Sequence, residues 1–196
     1  MEKIQIGVIF GGKSAEHEIS LLSAKNVIAA LDKHKYDVTL IGIDKEGHWH
    51  ICDKAEYLLN AHDPNKVTMH GMQDEVSLVA RNKAPHLVSL TGRNLKKKLD
   101  VVFPVLHGTY GEDGTVQGLL KLMGIPFVGA SVLGSAVGMD KDVMKRLLRD
   151  AGVPIAKFVT LEKSERKKIS FDAVVKQLGL PLFIKPADQT CFCRKQ

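Results

Sequence analysis

Two glycine-rich stretches carry most of the residues whose types and spacing could do chemistry. The first runs Gly11-Gly-Lys-Ser-Ala-Glu-His-Glu-Ile-Ser20. Backbone amides at the start of a helix favour an anion, and Glu16 offers a carboxylate that could hold an ammonium group, so together they suit a zwitterion. The second is His107-Gly-Thr-Tyr-Gly-Glu-Asp-Gly114, where an imidazole and two carboxylates sit among glycines. Each stretch also has a plainer reading. Glycines let the backbone take positive φ, Asp113 or Thr115 can cap a helix, and Glu16 and Glu18 can complement a helix dipole, worth about 0.3–1 kcal/mol each. Finding two such loops in one chain is what favours a ligand site. Lys141 and Lys185 are flexible point charges suited to phosphate oxygens, and the stem of Lys185 is flanked by Phe183, Ile184 and Pro186. His48, His50 and Cys52 share one face of an extended chain. They lack a fourth ligand and a recognisable zinc spacing, so no metal site is expected there.

The elements that must position these residues follow from periodicity. Ile4 to Phe10 is apolar and β-branched, as is Asp37 to Asp44. Between them Ile19, Leu22, Val27, Ile28 and Leu31 fall near helical spacing, which predicts a helix over residues 18–31 and hence a β-α-β unit. Lys45-Glu-Gly47 reads as a tight turn into a return strand, His48 to Cys52. Val101 to Leu106 has the content of a strand buried on both faces, and Thr115 onward reads as a helix with Leu119, Leu120 and Met123 on one side. A strand that stops at a polar loop before a helix places that loop at the carboxyl end of an open α/β sheet, where such sheets bind ligands. Lys54 to Asn60 is predicted as a short helix, and residues 61–98 as loops with one or two short strands. Ile125 to Val128 is predicted as a short strand, and residues 129–138 as a small-residue segment suited to close packing. Asp140 to Ala151 is predicted as a helix with Val143, Leu147 and Leu148 inward. A helix capped by Ser170 runs to Leu178 and closes at Gly179. Strands are predicted at residues 156–161 and 182–185. The composition shift near Gly124 gives domains 1–124 and 125–196.

With 196 residues, 44% hydrophobic and 26% charged, the composition is that of a globular protein. No apolar run approaches the roughly 20 residues that span a bilayer, and three cysteines do not suggest a disulfide framework. A cytoplasmic location is expected. The net charge of +6 allows an anionic ligand without demanding nucleic acid, because Lys96 to Lys98 and Arg166 to Lys168 lack interleaved aromatics and read as solvated loops.

Four segments, in order, resemble the N-terminal half of the D-alanine-D-alanine ligase family: residues 10–20, residues 107–118, Met139-Asp-Lys141 and Leu182-Phe-Ile-Lys-Pro186. The resemblance runs to about Gln189. It implies a Rossmann-like, parallel-sheet α/β domain that precedes an ATP-grasp domain, followed by the first part of that ATP-grasp central domain. It implies an ATP- and magnesium-dependent enzyme in which one D-alanine becomes an acyl phosphate and the amine of a second attacks it, giving the dipeptide used in peptidoglycan. By motif, Glu16 would hold the ammonium of the first D-alanine with Ser20 and His107 near it, and Lys141 and Lys185 would contact ATP phosphates. A homodimer is implied as well. The sequence departs from the family after Gln189, where Thr190 to Gln196 replaces a Gly-Ser-Ser-Val-Gly loop; a single-base frameshift would explain this tail. The family's magnesium ligands and much of its nucleotide pocket lie further on, so this chain alone is expected to be inactive. Two other readings remain: a non-catalytic dimerising fragment, and an NAD-binding oxidoreductase with Asp44 as the ribose-binding acid. The glycine spacing is not Gly-x-Gly-x-x-Gly, which ranks the last one lower.

Overall fold

The structure is a computed structural model that describes residues 2–81, 84–165 and 169–188. The chain divides into two compact units, Met1–Ala136 and Val137–Gln196.

In the first unit, β1 (Ile4–Gly11), α1 (His17–Ala30) and β2 (Tyr36–Ile43) form the predicted β-α-β unit, with the two strands parallel and in register from Ile4 against Tyr36 to Gly11 against Ile43. The hairpin strand β3 (Trp49–Cys52) returns antiparallel to β2. Residues 54–60 are not helical. A turn leads into β4 (Leu58–Leu59), which pairs with β5 (Thr68–Met69). Val67 is buried and Tyr57, Leu58 and Met69 pack on the same core, so tertiary packing overrides a weak local helix preference. Residues 61–98 hold far more sheet than expected. β6 (Met72–Arg81) and β7 (Ala84–Ser89) make a long antiparallel hairpin, and β8 (Lys96–Lys98) pairs with β7. The lysine run therefore lies in an edge strand and not in a loop, an arrangement that discourages further strand pairing. β9 (Val101–Pro104) lies parallel to β1 on its other side. The full order is β8-β7-β6-β3-β2-β1-β9, a mixed sheet that is parallel at the β2-β1-β9 end and antiparallel from β2 through β8.

The continuous apolar run in β1 has a simple cause. Val8 and Phe10 face a core with Leu21 and Ala24 of α1, while Ile9 faces the opposite core with α2 (Thr115–Leu122) through Val116 and Leu120. A strand covered on both faces needs no polar alternation. Ile125 to Val128 is reduced to one bridge, Val102 to Phe127. The small-residue segment that follows contains α3 (Val132–Met139).

In the second unit, α4 (Lys141–Asp150) is capped by Asp140, whose side chain accepts from the amides of Asp142 and Val143. α5 (Phe171–Leu178) is capped by Ser170 and ends at Gly179, as predicted. The strands predicted at residues 156–161 and 182–185 carry no ladder, since no described segment pairs with them, and α4 buries none of its residues. Val143 and Leu147 are 41% and 50% exposed, so the predicted inward face is not covered among the described residues. Arg166 to Lys168 and the tail from Gln189 lie outside the described residues.

Candidate functional site

Because β1 and β9 run parallel, the loops that follow them leave the same edge of the sheet. The first loop begins at Gly11, where φ is +89° and an added Cβ would stand 2.2 Å from the Ile43 carbonyl oxygen, so only glycine fits. The Gly12 amide donates to that same carbonyl at 2.8 Å. His17, buried, bonds the Gly12 carbonyl through Nδ1 at 2.8 Å. In the second loop the Gly108 amide donates to Glu112 at 2.8 Å, and Asp113 accepts from the amides of Tyr110 and Thr115 at 2.9 Å each. The N-cap of α2 is Gly114, which has no side chain to cap with, so Asp113 does not cap the helix and instead ties the turn that precedes it. Tyr110 takes a positive φ of 67°, uncommon for a side chain of its size.

The loops are stitched together. Ser14 donates its hydroxyl to the His107 carbonyl at 2.7 Å and accepts from the Glu16 amide at 3.1 Å. Gly108 approaches so closely that a Cβ there would lie 3.3 Å from Ser14 and 3.7 Å from the Glu16 carboxyl carbon. The His107 Nε2 pairs with the Ser23 hydroxyl at 2.9 Å and its Nδ1 stands 3.7 Å from Glu112. Ligating atoms of Glu16, His107 and Glu112 all lie within 4.8 Å of one another. Two carboxylates and one imidazole at this spacing form a site for a cationic group. Glu16 is the N-cap of α1 but makes no side-chain capping bond, which leaves its carboxylate available. Glu18, by contrast, is engaged by Lys45 at 2.6 Å, and that bond holds its carboxyl below the usual range.

Ser20 stands behind this group. Fully buried, it accepts from the Gly11 amide at 2.8 Å and donates to the Val105 carbonyl at 2.5 Å, tying the ends of β1 and β9 together. A cleft of about 160 Å³ opens beside His107, walled by Gly12, Lys13, Trp49, Leu106 and Leu119. Glu112, Ser14 and Ser23 have parts in the site that sequence reasoning did not give them. Glu112 lies in a loop already singled out, whereas the sole signal for Ser23 is its place one helical turn beyond Ser20.

The two predicted phosphate ligands belong to the second unit. The Lys141 amide donates to the Ala187 carbonyl at 2.9 Å, which brings the start of α4 to the segment just after Lys185. Lys185 is exposed, with Phe183 and Ile184 at 86% and 95% exposure, so its stem is not embedded. Neither ammonium forms an ion pair among the described residues. Magnesium fits less well. It favours an all-oxygen octahedron, and both groups of ligating residues found among the described residues contain imidazole.

Asp44, the candidate ribose acid, is bonded within its own hairpin. Its carboxylate accepts from the Gly47 and His48 amides at 2.7 and 2.8 Å, and from the rings of His48 and His50 at 3.1 Å each. Burial alone would raise its pKa, but these bonds hold the carboxyl well below the usual range. Cys52 does not join the histidines. It is packed in the core, where burial pushes its thiol up to about 11.

Fold and site define an α/β protein with two polar loops meeting at the carboxyl edge of its sheet, an arrangement suited to a small cationic or zwitterionic group. Comparison with known proteins narrows this class. Residues 5–130 match the family description "D-ala D-ala ligase N-terminus", and residues 147–191 match "D-ala D-ala ligase C-terminus". The chain is 51% identical over 189 residues to D-alanine--D-alanine ligase A of Escherichia coli (strain K12), covering 96% of this chain and 52% of that protein. Among solved structures, the D-alanine-D-alanine ligase from Coxiella burnetii superposes with a TM-score of 0.70 at 40% identity, covering 83% of this chain and 45% of that one. The VanG D-Ala:D-Ser ligase from Enterococcus faecalis gives 0.72 at 36% identity, covering 95% and 53%. The chain belongs to the D-alanine-D-alanine ligase family. It spans about half the length of the relatives it matches.

Proposed function

We propose that this chain supplies the first-substrate side of an ATP-dependent ligase that joins two D-alanines for peptidoglycan. The observation that carries the reading is the convergence of Glu16, His107 and Glu112, within 4.8 Å, on loops from two parallel strands. In this reading Glu16 accepts hydrogen bonds from the ammonium of the first D-alanine. His107 is held by Ser23 at one nitrogen and orients the amino acid from beside it. Ser20 fixes the two loops from behind, and Ser14 fixes the distance between them. ATP would supply the phosphoryl group that activates the substrate carboxylate. Lys141 and Lys185 would neutralise its phosphates, with residues 1–124 as the substrate domain and 125–196 as the opening part of the ATP-grasp domain. No step is assigned to magnesium on this chain. A cytoplasmic homodimer is part of the same proposal.

Because Trp49 is the sole tryptophan and walls the cleft, its fluorescence can report D-alanine binding. D-alanine is expected to give a saturable change that Glu16→Gln weakens at least about tenfold, the loss of one charge-assisted contact. Equal binding by Glu16→Gln would remove Glu16 from the role. Since the chain matches about half of each relative, D-alanine-dependent ADP release by this polypeptide alone is expected to stay at background.

A further inference from the structure

We propose that Asp44, His48 and His50 form a zinc-class divalent metal site on the β2–β3 hairpin, distinct from the ligand site above and independent of the ligase reading. The donor atoms are Asp44 Oδ2, His48 Nδ1 and His50 Nε2. Both imidazole nitrogens stand 3.1 Å from the same carboxylate oxygen, and all three atoms lie within 4.8 Å of one another. In a tetrahedral zinc site with bonds of about 2.0–2.2 Å, neighbouring ligand atoms stand about 3.3–3.6 Å apart. Two edges of the triangle are therefore already close to the size of a zinc face. The third closes by rotating His48, whose side chain is 57% exposed and free to adjust.

The carboxylate is pre-oriented for this task. Its other oxygen is pinned by the amides of Gly47 and His48, so Oδ2 is left facing the two rings. Such fixing of a ligand by its neighbours is what holds metal sites in geometry. A turn lock alone requires only the two amide bonds; it gives no reason for two imidazoles to converge on one oxygen. Of the neighbouring cations, Lys45 is bonded to Glu18, while the stem of Lys13 lies against Gly47. Imidazole nitrogen with carboxylate oxygen suits zinc better than magnesium or calcium. Three protein ligands leave a fourth position for water. Gly47 and Trp49, within the same hairpin, wall the cleft, so a bound ion would stiffen that wall.

The test is zinc titration of the full chain against a chromophoric chelator, in a Cys191→Ser/Cys193→Ser background that removes the tail thiols. One zinc per chain is expected, with binding weakened at least about tenfold by His48→Gln and by His50→Gln. His48→Gln alters an exposed side chain and should leave the thermal melt without metal unchanged. Cobalt substitution should give the visible d–d absorption of a tetrahedral ion, and this should disappear in the same variants. Absence of stoichiometric zinc overturns the proposal. So does zinc binding that persists in both histidine variants, or that is abolished by His107→Gln instead.

Discussion

Replacing Ser20 with alanine tests whether the two loops are held from behind. The Ser20 hydroxyl accepts from the Gly11 amide at 2.8 Å and donates to the Val105 carbonyl at 2.5 Å, in a place with no solvent exposure. Alanine would leave one buried donor and one buried acceptor without this partner. Each such group costs about 1–3 kcal/mol, so a loss of about 2–4 kcal/mol is expected after modest relaxation. Against a typical domain stability of about 5–15 kcal/mol this is a large share. Urea unfolding followed by Trp49 fluorescence reads the first unit, where that residue lies, and amide exchange at Gly11 reads the local tie. A loss below about 1 kcal/mol with unchanged Gly11 exchange would refute the account. A purely ligand-contacting Ser20 predicts the opposite pattern: stability retained and D-alanine binding lost.

Gly11→Ala places a Cβ 2.2 Å from the Ile43 carbonyl at a φ of +89°, and should cost more than about 2 kcal/mol in the same urea assay. Cys52, with its thiol raised to about 11 from 9.0, should be about a hundredfold less ionised at pH 8 than an ordinary thiol. In the Cys191→Ser/Cys193→Ser background it should therefore resist alkylation until the protein unfolds. Its proton is held more tightly in the folded state, so this contribution to stability is complete below about pH 9 and is lost as pH rises toward 11. Stability that rises over that window would contradict the assignment.

The parts of the fold that the sequence made legible are those governed by local chemistry. An apolar run ending at Gly11-Gly12, a helix from His17 and a second strand ending at Ile43 are written in periodicity and glycine placement. Ser170 and Gly179 mark the ends of α5 because capping is decided within a few residues. Residues 61–98 were not legible. In β6 the buried residues Asp74, Val76 and Leu78 do alternate, but an aspartate begins the pattern; Thr91 donates to one of its carboxylate oxygens at 2.5 Å, and the other is buried without a hydrogen-bond partner. The strands predicted at residues 156–161 and 182–185 failed in the other direction, since β-branched content does not make a strand without a neighbour to pair with.

The candidate site divides along the same line. Residue type and spacing alone put Glu16 in one polar loop and His107 in another, each at the end of a strand, and the parallel-sheet rule put both at one edge. Only the tertiary structure could show that Glu112 and Ser23 flank His107, that Ser20 is a buried tie, and that two histidines turn toward Asp44 while Cys52 turns into the core. The physical reason is reach. Caps and periodicities are short-range and therefore readable along the chain. Which side chain meets another 84 residues away, as Ser23 meets His107, is fixed by register and packing that no local pattern encodes.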